Sequence, residues 1–459
     1  MTVASPRPRP VRQGLTEFTL PVQREGIDEI ARIQGAPDWL VADRQAAFDA
    51  FESLPAEPNM LYTTYIDLRG AQLASARLHH SPRIEPVPVE LPAGTDGLLV
   101  LTEGDVTASV LSDEAQAAGV ELTTIGDLLA RRPERVRELL EGGSTLPSDD
   151  RFAQLTRALW TQGVVLDIPA GVLLAKPIIV RWAAGAPDRA LLSRTLIALG
   201  DGAAATVLEE LVASDEAGAS GGQSFLAGTL EVRLGQGSRI EVSSLQELPA
   251  TTIAFQHRNA VIGEGATLHW ALAQLGSRLV RSRVDNRLEG DRSSVEQVEI
   301  VFGGSDQLFD LTSYTRHVGR DTTGNLLSKG ALLDRARSFM KGMIVIDRSA
   351  VGTDSFLGEF GMNLSKATRS VAIPSLEIDQ PDCRRAAHAS SVGPIDESQL
   401  FYLESRGIPP DDARKFIVLG FLEPVVARVP LADAQDRLRG LLEEKWDAAA
   451  AATGTVAAA

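Results

Sequence analysis

The sequence predicts a mainly β protein in which a parallel β-helix, a solenoid of stacked strands, lies between two helical domains. Helical periodicity marks both ends of the chain, short alternating strands fill its centre, and a weak glycine-containing repeat runs through those strands. We predict five regions: a disordered arm 1–22, a mainly helical domain 23–162, the β-helix 163–394, a C-terminal helical domain 395–447 and a disordered tail 448–459.

Length and charge limit the classes of function. A chain of 459 residues exceeds one ordinary core, so two or three domains are expected. The net charge of −16 argues against a nucleic-acid partner, because phosphate binding needs clustered Lys and Arg. The acidity suits solubility or docking on a basic protein. The single cysteine, Cys383, excludes an internal disulfide and fits a reducing compartment.

No targeting or membrane segment is expected. The first 14 residues are rich in Pro and Arg and lack the apolar core of a signal peptide. The most apolar stretch, Gly163–Trp182, is interrupted by Asp167, Pro169, Lys176 and Pro177. We therefore expect a soluble, cytoplasmic protein without a membrane partner.

The N-terminal domain carries two helical patterns and a pair of short strands. Residues 37–55 show helical spacing of apolar residues, with Pro37 suited to a first turn. A second helical stretch covers 123–143 and ends in a glycine pair. Between them, residues 97–110 alternate as short strands do.

The central region contains a repeat that favours a β-helix over a sandwich. Three segments share an apolar–Gly–x–Gly turn followed by an alternating strand: Leu199–Val207, Leu234–Val242 and Ile262–Trp270. Their first glycines are 35 and 28 residues apart. Such recurrence is typical of a solenoid, and no helical pattern lies between the units.

A phosphate-binding loop is the alternative interpretation of each Gly-x-Gly. None is followed by a helical pattern, and none completes a dinucleotide-binding or Walker A motif. Turn glycines between coils are the better interpretation. Any ATP-driven step must therefore come from a partner protein.

The C-terminal domain returns to helix. Asp396 and Gln399 resemble a capping box that opens one helix, and Gly407 closes it. Pro409 and Pro410 separate it from an unusually apolar helix, and an amphipathic helix follows over 431–446. These helices either pack on the terminal coil or present their apolar surface to another protein.

One cluster offers metal-binding chemistry. Asp382, Cys383 and His388 provide a carboxylate, a thiol and an imidazole, which are side chains that bind iron. One cysteine and one histidine cannot hold a cluster that usually takes four ligands, so such a site would be transient or shared with another chain. A buried thiol and a structural histidine are the alternative.

Residues His388–Phe421, reading HASSVGPIDESQLFYLESRGIPPDDARKFIVLGF, closely resemble the signature of the SufB/SufD family, the paired scaffold subunits of the SUF iron–sulfur assembly machinery. Residues 150–180 resemble the family's entry into its β-helix, and 37–58 its N-terminal helical motif. The resemblance spans roughly residues 35 to 430.

The resemblance implies a right-handed parallel β-helix and two partners. A SufB-like chain would pair through the β-helices, and a SufC-like ABC ATPase would dock on the C-terminal helices. A transient iron or iron–sulfur cluster, not a permanent cofactor, would form at the subunit interface, with His388 as ligand. Cys383 and Asp382 are weaker candidates that rest on their side-chain chemistry alone. We expect docking of the ATPase at Phe401, Tyr402, Arg406, Gly407, Phe416 and Phe421.

The segment around His388 resembles the SufD type more than the SufB type, because the cysteine-bearing SufB version is not found here. Some SufD proteins have a cysteine two residues before the histidine, where this chain has Ala386. The resemblance therefore assigns no ligand role to Cys383.

Two functions from different classes follow. The first is a non-enzymatic scaffold for iron–sulfur cluster assembly, with ATPase activity only in the partner. The second is a carbohydrate-active β-helix enzyme similar to a polysaccharide lyase. That enzyme would use Asp285, Asp310, Arg316 and Lys329 on one face of the β-helix.

Overall fold

The computed structural model describes residues 14–80, 87–141, 147–429 and 431–457. Its helices are α1 (Glu25–Gln34), α2 (Asp38–Ser53), α3 (Asp113–Ala117), α4 (Ile125–Arg131), α5 (Pro133–Glu141), α6 (Arg151–Leu159), α7 (Glu397–Ser405), α8 (Pro410–Val426) and α9 (Ala432–Ala457). Short 3₁₀ helices cover Thr63–Tyr65 and Asp215–Gly218.

Two long sheets form the centre of the molecule. Sheet A contains β5 (Gln162–Ile168), β7 (Arg189–Leu199), β9 (Ser224–Leu234), β11 (Thr252–Ile262), β13 (Leu279–Leu288), β15 (Leu308–His317), β17 (Arg337–Ile346) and β19 (Arg369–Ile378). Sheet B contains β6 (Ile178–Ala184), β8 (Ala204–Ala213), β10 (Arg239–Gln246), β12 (Thr267–Gln274), β14 (Ser294–Gly303), β16 (Thr323–Leu332), β18 (Asp354–Asn363) and β20 (Arg385–Gly393).

The chain passes from one sheet to the other at every strand, and each strand pairs in parallel with the strand two positions later. The result is a parallel β-solenoid of about 8 turns, which confirms the predicted fold class. Pairing stays in register along whole strands, for example from Leu279 opposite Leu308 to Leu288 opposite His317.

Alternation along the strands separates a lumen from two outer faces. In β13, Val280, Val284 and Leu288 point into the lumen, whereas Leu279 packs on the outside with the N-terminal region. Both sides are buried because helices and loops cover the outer faces. This explains why several strands are apolar on both faces.

The predicted glycine turns join consecutive coils. Gly202 and Gly237 have left-handed backbone angles, with φ of +68° and +65°. Their N–H groups donate to the carbonyls of Gln236 and Glu264 in the next turn, at 2.7 and 2.8 Å. At Gly263 a Cβ atom would lie 2.6 Å from the Leu234 carbonyl oxygen. These glycines shape and stack the turns, as the sequence predicted.

The N-terminal region packs on the outer face of sheet A and closes the first end of the solenoid. α2 lies against α6, and their apolar residues join a core with the outward side chains of sheet A. The predicted short strands are β2 (Gly97–Thr102) and β3 (Asp105–Leu111). β2 extends sheet B beside β6, and β4 (Glu121–Thr124) extends sheet A beside β5. The two-residue strand β1 (Arg77–Leu78) pairs with β7.

The second predicted helix of this region is two helices. α4 ends at Arg131 and α5 begins at Pro133, because a proline cannot donate the backbone hydrogen bond of a continuing helix.

The predicted arm and tail also differ from expectation where they are described. Residues 1–13 of the arm lie outside the described residues, but Leu20 is buried and Phe18 packs edge-on against Phe152, at 5.2 Å between ring centres. α9 continues to Ala457, through most of the segment 448–459. Residues 458–459 lie outside the described residues.

The C-terminal helices α8 and α9 pack across the outer face of sheet B. Their buried residues, including Val418, Leu422 and Leu438, share a core with Leu245 and Ile300 of the sheet. The apolar surface therefore lies mainly along the side of the solenoid, and α7 leaves aromatic side chains exposed. None of the described helices has the length and apolarity needed to cross a membrane.

Candidate functional site

His388 lies on β20, which together with β19 forms the last turn of the solenoid. β20 pairs with β18 and β19 pairs with β17, and no described strand pairs with the other edge of either. At the first end, Ala115 of α3 and Val120 pack on lumen residues such as Leu166, and β2, β3 and β4 extend the two sheets, so the two ends differ. His388 therefore lies at an open end of the β-helix.

The register shows which way His388 faces. It is the in-register partner of Leu357, which is fully buried in the lumen with Ile344 and Ile346. In-register residues of parallel strands point to the same side of the sheet. His388 consequently faces the lumen, yet it is exposed because no further described turn covers it.

The rest of the open end is mostly apolar. Ile378 of β19 and Val392 of β20 are in register with the lumen residues Ile346 and Gly361 and are 44% and 39% exposed. Leu376 is half-buried beside them. An apolar rim with two unpaired strand edges is a surface that another β-structure can extend.

The secondary candidates lie in the turn before β20. Cys383 is half-buried and packs with Leu376 and Ala386 against the lumen core. Asp382 is exposed, and its carbonyl oxygen accepts the N–H of Gly352 at 2.8 Å. Within the described part of the chain, no group of three or more His, Cys, Asp and Glu side chains could hold a metal ion.

The nearby arginines are occupied by carboxylates of earlier turns. Arg384 pairs with Asp321, and Arg385 pairs with Asp354 at 2.6 Å. Both contacts tie the turn before β20 to the preceding coils.

Glu359 is a residue that sequence reasoning missed. It lies on the lumen side of β18, two positions beyond Leu357, and is only 1% exposed. Its Oε2 atom accepts the N–H of Ile373 in β19 at 2.7 Å. Burial raises the pKa of its carboxyl group to about 8. Alternation in the sequence shows that Glu359 shares a face with Leu357, but only the register shows that this face lines the lumen beside the open end.

The candidate docking residues divide into two groups. Phe401 and Tyr402 on α7 and Phe416 on α8 are 72%, 57% and 57% exposed. The exposed Arg406 stacks on Tyr402, with the guanidinium 5.2 Å from the ring centre, and Gly407 ends α7 with a φ of +86°. These residues present an aromatic surface to the outside.

Phe421 belongs to the second group, because it is half-buried and packs toward sheet B. Lys329 lies over its ring at 4.7 Å and donates from Nζ to its carbonyl oxygen at 3.0 Å. Phe421 therefore anchors α8 on sheet B and also lines a cleft beside α7 and α8. A cleft of about 470 Å³ separates α7 and α8 from the ends of β18 and β20, and its lining includes Phe360, Met362, Ser391, Gln399, Phe416 and Ile417.

The residues considered for a carbohydrate-active enzyme do not share one cleft. Asp310 is buried beneath the N-terminal region with Arg281 and Lys341, and Asp285 pairs with Arg283 at 2.8 Å. Lys329 lies on sheet B, on the other side of the solenoid. No observation therefore supports this alternative.

Comparisons with known proteins identify a family and several relatives. A family model described as "SUF system FeS cluster assembly, SufBD core domain" matches residues 182–421. The chain is 26% identical to the iron–sulfur cluster assembly protein SufD of Bacillus subtilis, over 93% of this chain and 98% of that protein.

Two further relatives have the same kind of name. The chain is 23% identical to SufB of Bacillus subtilis, over 91% of each chain. It is 29% identical to a SufBD family protein of Mycobacterium tuberculosis, over 48% of this chain and 57% of that protein. Because the family model covers more than half of the chain, the chain belongs to the SufB/SufD family of iron–sulfur cluster assembly proteins.

Proposed function

We propose that the chain is a SufD-type scaffold subunit for iron–sulfur cluster assembly that performs no catalytic step itself. The observation that carries this proposal is the open end of the β-helix, where His388 faces the lumen among apolar residues. The similarity to a SufD protein over nearly the whole chain supports the same assignment.

The open end would bind a SufB-like chain. The unpaired edges of β19 and β20 offer backbone N–H and C=O groups, and Ile378 and Val392 offer apolar area. A second β-helix has edges and a lumen of the same kind, so the two can complete each other. The similarity of this chain to a SufB protein supports such a partner.

His388 would be a ligand of a nascent cluster or of its iron. Its imidazole is exposed and points toward the space that the partner would close. The described residues of this chain offer no set of three ligands, so the others would come from the partner. Cys383 and Asp382 remain secondary candidates, and the cluster is cargo that leaves after assembly.

The aromatic surface of α7 and α8 would dock a SufC-like ABC ATPase. Phe401, Tyr402 and Phe416 are large, exposed and close to one cleft, which is typical of protein-binding surfaces. ATP hydrolysis by that partner would move α8, and hence sheet B, relative to the open end.

The test is co-expression of the chain with its SufB-like and SufC-like partners, followed by anaerobic cluster formation in the purified complex. We expect His388→Ala to leave the complex intact and to lower cluster formation by about tenfold or more. His269→Ala is the matched control, because His269 is a partly exposed histidine on the outer face of β12, far from the open end.

The outcomes separate the two parts of the proposal. Unchanged cluster formation with His388→Ala would contradict the ligand role alone. Failure of the wild-type chain to bind either partner under reducing conditions would contradict the scaffold role.

A further inference from the structure

A second cleft, remote in sequence from His388, opens on the outer face of sheet A. It has a volume of about 260 Å³ and lies where the loop after Asp67 crosses the beginnings of β13, β15 and β17. Its lining consists of Asp67, Arg69, Gly70, Arg278, Leu279, Leu308 and Arg337.

A buried carboxylate holds two of the arginines in place. Asp67 is only 7% exposed and accepts from Nε and Nη2 of Arg69 at 2.9 and 2.8 Å. It also accepts from Nη1 of Arg337 at 3.0 Å. Burial opposes ionisation of Asp67, but the hydrogen bonds from Arg69 and Arg337 outweigh it and lower its pKa to about 2. Asp67 is therefore an anion at neutral pH.

The third arginine is nearly free. Nη2 of Arg278 lies 3.8 Å from Asp306, whose other oxygen pairs with Arg335 at 2.6 Å. The cleft is thus lined by three guanidinium groups, two of which bind Asp67. Within the described residues, Nη1 of Arg69 and Nε and Nη2 of Arg337 have no hydrogen-bond partner. This is a local excess of positive charge in a chain whose net charge is −16.

We propose that this cleft binds a phosphate group, either free or on a small phosphorylated molecule. Guanidinium groups recognise phosphate with two parallel hydrogen bonds, and a site whose donors are already held in place loses little entropy on binding. The volume exceeds that of a phosphate ion and leaves room for a small organic group. The site is independent of the proposed cluster chemistry.

The experiment is isothermal titration calorimetry of the full-length chain at low salt with inorganic phosphate, glycerol phosphate and adenosine monophosphate. We expect saturable binding, weakened about tenfold by Arg278→Gln, which removes one charged hydrogen-bond donor. Arg316→Gln is the matched control, because Arg316 of β15 lies on the outer face of sheet A, as the cleft does, but pairs with Asp347 at 2.9 Å outside the cleft.

Each outcome decides the proposal. Tighter binding of a monoester than of phosphate, weakened in Arg278→Gln, identifies a phosphorylated molecule as the ligand; equal or weaker binding of the monoesters identifies free phosphate. Absence of saturable binding, or equal weakening by Arg278→Gln and Arg316→Gln, overturns the proposal. Binding of a polyglutamate peptide but not of the phosphates would also overturn it, because the cleft would then be a protein-docking surface.

Discussion

Asp150 joins the N-terminal region to the β-helix through a buried network of hydrogen bonds and ion pairs. It is fully buried and caps α6 by accepting the N–H groups of Phe152 and Ala153 at 2.8 and 2.9 Å. Its carboxylate also contacts Nε2 of His257 at 3.0 Å and Nη1 of Arg283 at 3.2 Å. Burial disfavours the charged form, but these partners hold the pKa of Asp150 well below its usual range.

We expect Asp150→Asn to destabilise the protein by about 1.5–3 kcal/mol, because it removes one counter-charge of the buried Arg281 and Arg283 and the charged partner of His257. The neighbouring Asp149→Asn should cost less than about 1 kcal/mol, since Asp149 is exposed and makes one ion pair. Urea denaturation at pH 7 measures both. Since the pKa of Asp150 is lowered, its contribution is present above about pH 4 and is lost as the pH falls further. Equal effects of the two substitutions would contradict the buried role.

The contribution of Glu359 to the free energy of unfolding has the opposite pH dependence. Its pKa is raised by burial from the ordinary value of 4.5 to about 8, so the folded chain binds this proton more tightly than the unfolded chain does. Its contribution is therefore full below about pH 4 and is lost as the pH rises through 8. Glu359→Gln replaces the ionisable carboxyl group with a neutral amide but keeps an oxygen that can accept the N–H of Ile373.

We expect wild-type stability to fall between pH 6 and 8.5 more steeply than that of Glu359→Gln, as measured by urea denaturation at several pH values. Glu377→Gln is the control, because Glu377 is an exposed carboxylate on β19. Parallel pH profiles for the wild type and Glu359→Gln would show that Glu359 is ionised at neutral pH.

At the scale of elements, β19 and β20 differ from the other coil strands because no described strand pairs with their outer edges. The exposed apolar side chains that face the lumen on these two strands are suited to contact with another β-helix and not with water. The turn residue Leu173 near the other end is also an exposed apolar residue, with 70% of its surface accessible, and it therefore serves as the control position.

We expect Val392→Asp to abolish co-purification with a SufB-like chain, because a charge would lie in an apolar interface. Leu173→Asp should leave co-purification unchanged, and circular dichroism should show that both variants fold. Normal pairing by Val392→Asp would place the SufB-like chain elsewhere on the molecule.

Elements also show where sequence reasoning succeeds. The structure confirms the predicted N-cap at Asp396, whose Oδ1 accepts the N–H of Ser398 at 2.8 Å. α7 also ends before Gly407, as predicted. These signals are local, since a cap or a left-handed turn acts within a few residues. The break between α4 and α5 was missed although Pro133 marks it, because the apolar spacing continues across it.

At the scale of the whole molecule, the solenoid has two covered sides and one open end. The N-terminal region covers sheet A, α8 and α9 cover sheet B, and Ala115 of α3 and Val120 pack on the lumen residues at the first end. The apolar side chains at the open end and on α7 therefore stay exposed because none of these elements covers them. They form two separate surfaces, and the proposed SufB-like and SufC-like partners would each occupy a different one.

The sequence by itself determined the β-helix, its flanking helices and the family. Alternation and repeated glycine turns act locally, and His388 belongs to a continuous motif. Only the tertiary structure decided that His388 faces the lumen, because a shift of one residue in the register with Leu357 would turn it outward. Packing likewise buried Glu359 and covered part of Phe421. It also brought Arg337 to Asp67, 270 residues away in the chain, because such contacts depend on how distant coils and loops stack and not on local pattern.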